Sequence, residues 1–579
     1  MTREERDRRE AEKRARMEGS PDIGGVALPF SRTTLLKAFW SFALLFPAWT
    51  LWNARADLTF ETTFAGAVLF LATLLPGWFW CTGRVQGLPI YPIFAISFIP
   101  TYVTPLWQGH SALAQYTANE INTAAWTVAG FLLIGALFWQ QMAVRAVGVP
   151  HAVRMIDLKK SENILLFCIF AELAFELLSF FFYQLSGGAV AAIRGFATSA
   201  GRMGIFVFSY QMAQGELSPW KKGLFLGALS LLVIQETASL VLANVIPTIG
   251  IAFSAYVLGS GKIPWKAMGA TVAVISILHA GKYEMRDLYH SGEKSSGGIM
   301  AYPAYFAEWI GYGLKNLGMG KKGEEKREVS SAKERGSLIQ LMIKIQTMTP
   351  DKVPYLQGVS YEFIPSLLIP RILSPTKKWA HTGNMILSLH YGILDQEGIW
   401  FTSVAFDPVM EAYANYGFIG VLALAVIIGF FIGWATKLTI HVPMLSFGFL
   451  FGVLVIAAVI GSFNTTGVFV TVLWQSFLAL AGLSLIMMGK QNNPVWKYYA
   501  MKLAEKIRFK PDPKMEKTFR EVQSVLGKKD FPSLPGASGT QSPGSDASEH
   551  LQSRVSDSPS PEAEKHERPQ RYVYGGPKK

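Results

Sequence analysis

The chain has 579 residues, of which half are hydrophobic, 13% aromatic and 16% charged, with a formal net charge of +13. A soluble chain carries roughly 25% charge; here the charges collect in the first thirty residues, near 281–380 and in the last ninety. Between them run apolar stretches of roughly 18–22 residues, long enough to cross a bilayer core as helices, and the basic residues stand in short junctions between those stretches, an orientation pattern that argues against a nucleic-acid-binding domain.

In chain order, residues 1–33 are a charged N-terminus, too charged in MTREERDRREAEKRARMEG for a cleaved signal peptide and expected to remain in the cytoplasm. Residues 34–280 read as a bundle of nine membrane helices, at 34–52, 63–81, 88–107, 123–141, 163–183, 199–214, 222–236, 238–258 and 264–280. Residues 281–416 read as one large periplasmic loop with short helices, one of them aromatic-rich in AYPAYFAEWIGYGLKNLG and one with a helical period at Leu338, Leu341, Met342 and Ile345. Between these, KKGEEKREVSSAKERG reads as a solvated connector. Three more spans follow within 417–489, at 417–436, 443–462 and 467–489. Residues 490–529 form a basic segment suited to the inner leaflet, and 530–579 a Pro/Ser/Gly-rich tail expected to be disordered in the cytoplasm. The fold class expected is therefore all-α, a polytopic membrane protein of about twelve spans with both ends inside; losing the short sixth and seventh spans would leave about ten with the same orientation elsewhere.

The junctions test that orientation. With the N-terminus inside, even junctions should be basic. Junction four holds Arg145, Arg154, Lys159 and Lys160, junction six Lys221 and Lys222, junction eight Lys262 and Lys266, and junction ten Lys437. Odd junctions are poorer, apart from the one after span five, which holds Arg194 and leads to Arg202.

Cys81 and Cys168 lie in or beside apolar runs and support neither a disulfide framework nor a cysteine metal site. The chain has no G-x-x-x-x-G-K-[ST] phosphate loop, no G-x-S-x-G elbow and no H-E-x-x-H, which argues against ATP-driven transport by this chain alone and against zinc hydrolysis. The remaining chemistry lies in charged groups expected at the outer face: Arg194 and Arg202 around span six, Lys282 and Arg286 after span nine, Arg371, Lys377 and Lys378 in LLIPRILSPTKKW, and Asp407, Glu411 and Asn415 just before span ten. Cations facing carboxylates beside a membrane suit an anionic group at headgroup depth, and diphosphate matches the bidentate fork of arginine. A carboxylate beside it can orient or deprotonate a sugar hydroxyl.

Each of these residues also has a plainer reading. Arginines beside membrane helices snorkel or bind headgroups, which stands as the alternative for Arg194. Glu411 also reads as compensating the dipole of the helix it begins, and Asn415 with Gly417 as a turn. Glu172 and Glu176 share one helix face inside the membrane. They suit a proton or ion path, pairing with Arg194 or Arg202, or hydrogen bonds between helices.

Four segments together resemble the bacterial oligosaccharide repeat-unit polymerases of the O-antigen polymerase type: GKYEMR at 281–286, GVSY at 358–361, PRILSPTK at 370–377 and EAYANYG at 411–417. Ser374 departs from that pattern, where tryptophan is common. The resemblance implies an enzyme of the bacterial inner membrane that transfers an undecaprenyl-diphosphate-linked oligosaccharide onto a second lipid-linked unit on the periplasmic face, without metal or cofactor. It implies Arg371, Arg286, Arg194 and Arg202 as diphosphate contacts, with Lys282, Lys377, Asn415 and Tyr361 completing the substrate-binding set. Glu411 would activate the acceptor, with Asp407 as the alternative base. Chain-length regulators and flippase proteins are further partners it implies, and nucleic acid is not one. A ligase of finished glycan chains and a transporter or flippase of lipid-linked glycans are the rival readings; the acidic pair Glu172/Glu176 favours the transporter.

Overall fold

The computed structural model describes residues 22–23, 26–27, 31–52, 54, 59–144, 149–181, 188–290, 299–318, 337–369, 373–374, 376–400, 403–460, 464–493 and 496. Most of the charged N-terminus, the 321–336 connector, Arg371 with Pro370 and Pro375, most of the basic 490–529 segment and the 530–579 tail lie outside them. Residues 505–579 also lie outside.

A helix occupies each of the twelve apolar segments: α1 Arg32–Trp52, α2 Phe60–Cys81, α3 Ile90–Gln108, α4 Ala118–Val144, α5 Leu158–Phe181, α6 Gly188–Gln214, α7 Pro219–Ala238, α8 Leu242–Ser260, α9 Trp265–Ala280, then, after the long insertion, α14 Pro408–Lys437, α15 Phe447–Ile460 and α16 Thr466–Met487. Six of them, α1 to α4, α14 and α16, are long and apolar enough to cross a membrane by length and composition. Polar caps set several starts: Thr59 Oγ1 accepts from Thr62 N at 3.2 Å, and Ser218, followed by Pro219 at the first helical position, accepts from Lys221 N at 3.5 Å. Two helices begin well before the sequence expectation: α6 at Gly188, not near 199, and α14 at Pro408, not near 417. Arg194 therefore lies inside a helix, where the Glu176 carboxylate of α5 offsets its charge through two hydrogen bonds of 3.1 Å.

The centre of the bundle is α3, α4 and α14. Tyr91, Phe94, Phe98, Tyr102 and Trp107 of α3 are buried. Glycine lets α4 and α14 touch along their backbones: a Cβ at Gly429 would collide with the Gly135 carbonyl, and one at Gly433 would lie 2.7 Å from Met142 Cβ. Without a hydrophobic drive between helices in lipid, close van der Waals approach and hydrogen bonds between helices hold such a pair. Trp139 Nε1 donates to Thr436 Oγ1 at 3.0 Å, and Tyr91 OH to Leu132 O at 2.9 Å. Toward the outside, Leu44, Trp49 and Trp52 of α1 are exposed, an apolar surface that suits lipid.

One end of the bundle is closed by an antiparallel ribbon, β1 Ala152–Ile156 with β2 Met488–Asn492. Asn493 Nδ2 ties it to His441 O and Pro150 O, both at 2.9 Å, and Ile156 N bonds Leu445 O at 3.0 Å. Junction four, junction ten and the segment after α16 thus meet at one end. At the opposite end the described part of the 281–416 insertion contains α10 Lys282–His290, α11 Tyr302–Asn316, α12 Leu338–Met348 and α13 Thr382–His390.

Gly429→Leu should force α4 and α14 apart and lower stability by about 1–3 kcal/mol or more, read as a lower unfolding midpoint of the detergent-purified chain. Gly223→Leu on α7, where an added Cβ meets open space, should leave that midpoint within a degree or two of the parent.

Candidate functional site around Glu411

The first two turns of α14 are built from DPVMEAYAN. Asp407 is the N-cap: its Oδ1 accepts from Met410 N at 2.9 Å, and Pro408 occupies the first helical position, where a missing N–H costs nothing. Its other oxygen, Oδ2, accepts from the Tyr102 hydroxyl of α3. Both oxygens are engaged and the side chain is fully buried, so Asp407 anchors α14 to α3 and is poorly placed to take a proton from a substrate.

Glu411 follows one turn later and is also fully buried. Its Oε2 accepts from Thr466 N, the first residue of α16, at 2.6 Å. A helix N-terminus offers unpaired N–H groups and favours a negative charge. Oε1 has no hydrogen-bond partner among the described residues. It faces Gly383 of α13, where an added Cβ would lie 3.1 Å from it. Thr465 lies beside the same glycine and gives its N–H to Asn384 Oδ1 at 3.4 Å.

Asn415, one more turn along, holds the GVSY turn against the helix. Its Nδ2 donates to Ser360 Oγ at 2.8 Å and to Glu411 O at 2.7 Å, while its Oδ1 accepts from Gly358 N at 2.9 Å. All the polar atoms of this buried amide are thereby used. Tyr361 comes next in that turn. Burial, then the neighbouring Glu411 carboxyl, push its hydroxyl well above the ordinary tyrosine range, so it stays protonated and available as a donor. After Asn415 the helix breaks. Tyr416 has φ −141° and Gly417 φ +60°, a left-handed conformation that favours glycine and that the Tyr355 hydroxyl, 2.8 Å from any added Cβ, makes tighter still. The break separates the buried polar turns from the apolar length of α14.

Four of the residues singled out in the sequence therefore converge: Asp407, Glu411, Asn415 and Tyr361. Four others do not join them. Arg194 pairs with Glu176, and Arg202 lies within electrostatic reach of Glu172 and Glu236. These belong to α5, α6 and α7, and α6 meets α16 where Ser199 Oγ and Ser476 Oγ are 3.1 Å apart, ten residues or about 15 Å along α16 from Thr466. Lys282 and Arg286 lie on α10, where Arg286 donates to Leu240 O at 3.0 Å, beyond the end of α7. There, burial and then the Arg286 charge push the Lys282 ammonium down to about 8. Glu411 and Arg286 share no hydrogen-bond partner among the described residues. Lys377 donates to Leu367 O at 3.1 Å and Ile369 O at 2.6 Å, holding the strand of chain that leads to position 370. The next residue, Arg371, lies outside the described residues.

Sequence reasoning missed Tyr102, Ser360, Gly383, Asn384 and Thr466 as parts of this site. The Asn-Thr-Thr run before α16 was the available signal, since such residues cap helices. Among the described residues, no group of three or more His, Cys, Asp and Glu side chains is placed to hold a metal ion.

Burial pushes the Asp407 carboxyl up from 3.8 to about 6 in spite of its three hydrogen bonds to Tyr102, Met410 and Val409, which lower it. The folded state then holds the proton more tightly than the unfolded chain, so this group's contribution to stability is full below 3.8 and is lost as pH rises to about 6. Unfolding midpoints measured across that window should fall for the parent chain, and Asp407→Asn, which keeps the cap, should remove that part of the decline. No family model, no curated protein and no solved structure matches the chain.

Proposed function

We propose that the chain is a membrane glycosyltransferase of the bacterial inner membrane that polymerises undecaprenyl-diphosphate-linked oligosaccharide units, with the Glu411 site on the periplasmic face and both termini in the cytoplasm. The reading combines a bundle with six helices long and apolar enough to cross a membrane, read from sequence as about twelve crossings, with the resemblance of GVSY, PRILSPTK and EAYANYG to repeat-unit polymerases. One observation carries it. Two of those motifs, separated by fifty residues, fold onto each other through Asn415, and together with α13 and the first turn of α16 they surround a carboxyl oxygen, Glu411 Oε1, that has no hydrogen-bond partner among the described residues.

In this mechanism Glu411 takes the proton from an acceptor sugar hydroxyl as that oxygen attacks the anomeric carbon of the donor sugar. The bond from that carbon to the diphosphate oxygen breaks, and undecaprenyl diphosphate leaves with the electron pair. Tyr361 donates to a substrate oxygen. Arg371 neutralises the diphosphate, as a guanidinium fork is suited to do. Its flanks support the assignment: Trp474 Nε1 of α16 donates to Leu368 O at 2.9 Å, and Lys377 holds the same stretch, so the segment leading to Arg371 runs along the helix whose first residue binds Glu411. Arg194, Arg202, Lys282 and Arg286 stand apart from the Glu411 site and take no part in this step. The acid and arginine set of α5, α6 and α7 favours the second reading, a carrier of lipid-linked glycans.

Glu411→Gln preserves an oxygen to accept from Thr466 N while removing the base. Chain extension in membrane vesicles supplied with lipid-diphosphate oligosaccharide should fall about 10²–10⁴-fold, the usual worth of a general base, with the protein still inserted. Retained extension would reduce Glu411 to a structural tie. Arg371→Ala should abolish extension with insertion intact, and retained polymerisation would remove Arg371 from the site. Substrate flux without new glycosidic bonds would favour the carrier.

A further inference from the structure

A second concavity lies beside the Glu411 site, between α4 and the part of α14 that follows the Gly417 break. It encloses about 600 Å³. One face of α4 lines it at helical spacing: Asn119, Asn122, Thr123, Trp126, Thr127 and then Gly130. Phe418, Val421 and Leu422 of α14 form the opposite wall. Polar groups therefore crowd the start of α4, and the lining turns apolar further along the helix. Trp126 and Phe418 are both about half exposed (50% and 56%).

The lining contains no charged side chain, which disfavours a phosphate as the group held there. Two buried polar atoms at the polar end have no hydrogen-bond partner among the described residues: Asn122 Oδ1, and Oε1 of Gln346, the α12 residue whose Nε2 donates to Thr127 Oγ1 at 2.9 Å. Both are acceptors. The amides and hydroxyls of Asn119, Asn122 and Thr123 that line this end match sugar hydroxyls, which both donate and accept, whereas phosphodiester oxygens only accept. An exposed tryptophan beside them offers a flat apolar surface for a sugar ring, and the apolar end suits a hydrocarbon chain. We infer that this groove binds the neutral sugars and adjoining lipid chain of a glycolipid and, resting on the proposed function, that it seats the lipid-linked acceptor whose hydroxyl is presented to Glu411.

Gly130 makes the groove testable, because an added Cβ there meets nothing within 4 Å. Gly130→Leu fills the groove without a clash; Gly227→Leu on α7, equally open and exposed, is the control. The full chain in nanodiscs is photolabelled with a dodecyl maltoside carrying a diazirine on its chain, and labelled peptides are mapped. Label should fall on α4 and α14, be displaced by lipid-diphosphate oligosaccharide but not by phosphatidylglycerol, and drop about tenfold in Gly130→Leu, a change of one decade in affinity, with Gly227→Leu unaffected. In chain-extension assays Gly130→Leu should raise KM for the acceptor with kcat little changed, the signature of lost uniform binding. Labelling unchanged by Gly130→Leu, equal displacement by phosphatidylglycerol, or no displacement by lipid-diphosphate oligosaccharide would overturn the inference. Labelling needs no turnover. A chain that binds as described but extends nothing would refute the polymerase reading alone, whereas extension by a chain with an unlabelled groove would refute the groove alone.

Discussion

A carboxyl group removed from water must be met by donors or remain costly, and the site end of this bundle is arranged around two of them. Asp407 and Glu411 lie one turn apart on α14, both fully buried. Satisfying Asp407 ties α14 to Tyr102 of α3, and satisfying Glu411 ties it to the first residue of α16. Asn415 then draws in the 358–361 turn. Three distant parts of the chain are thus held by polar groups on two helical turns. The break at Gly417 lets those turns point where the site needs them while the rest of α14 packs against α4 by glycine contact.

The other charged region follows a different rule. In α5, α6 and α7 the arginines and glutamates answer one another: Arg194 is gripped by Glu176, and Arg202 faces Glu172 and Glu236. Ionisable groups at such positions are expensive unless paired, and this pairing explains how α6 continues as a helix through Arg194. It also leaves those guanidinium groups less free for a substrate phosphate. The Glu411 site has the opposite character. It contains amides, hydroxyls and carboxyls, and the cation that would complete it for diphosphate chemistry is Arg371, next to a segment anchored by Lys377 and Trp474.

The helices were legible in the sequence because hydrophobic length is a local property. Each apolar run of spanning length became a helix, and the two short runs at 199–214 and 222–236 did so as well. The start of α6 was not legible, because Arg194 reads as a helix end until Glu176, eighteen residues earlier, is known to face it. The same distinction divides the site. Asp407 before Pro408 carries a local capping signature, although its burial against Tyr102, 305 residues away, does not show in the sequence. Glu411 and Asn415 were found from their place just before span ten, and Tyr361 from motif resemblance. Ser360 and Thr466 were not, since only tertiary hydrogen bonds bring them to the carboxyl. A shared position beside membrane helices suggested that the cations would work together; among the described residues the fold instead sets Arg194 and Arg202 against the acids of α5 and α7, and Lys282 and Arg286 on α10.

The central claim is that Glu411 belongs to a site which joins lipid-linked sugars at the membrane surface. Its most direct test places the purified chain in proteoliposomes with lipid-diphosphate oligosaccharide as the sole glycan source, free of ATP and nucleotide sugar, and sizes the products. The account predicts a ladder rising by one repeat unit per step, with undecaprenyl diphosphate released in step with each bond formed. Oligosaccharide recovered unchanged in length, from a chain verified to be folded and inserted, would contradict it.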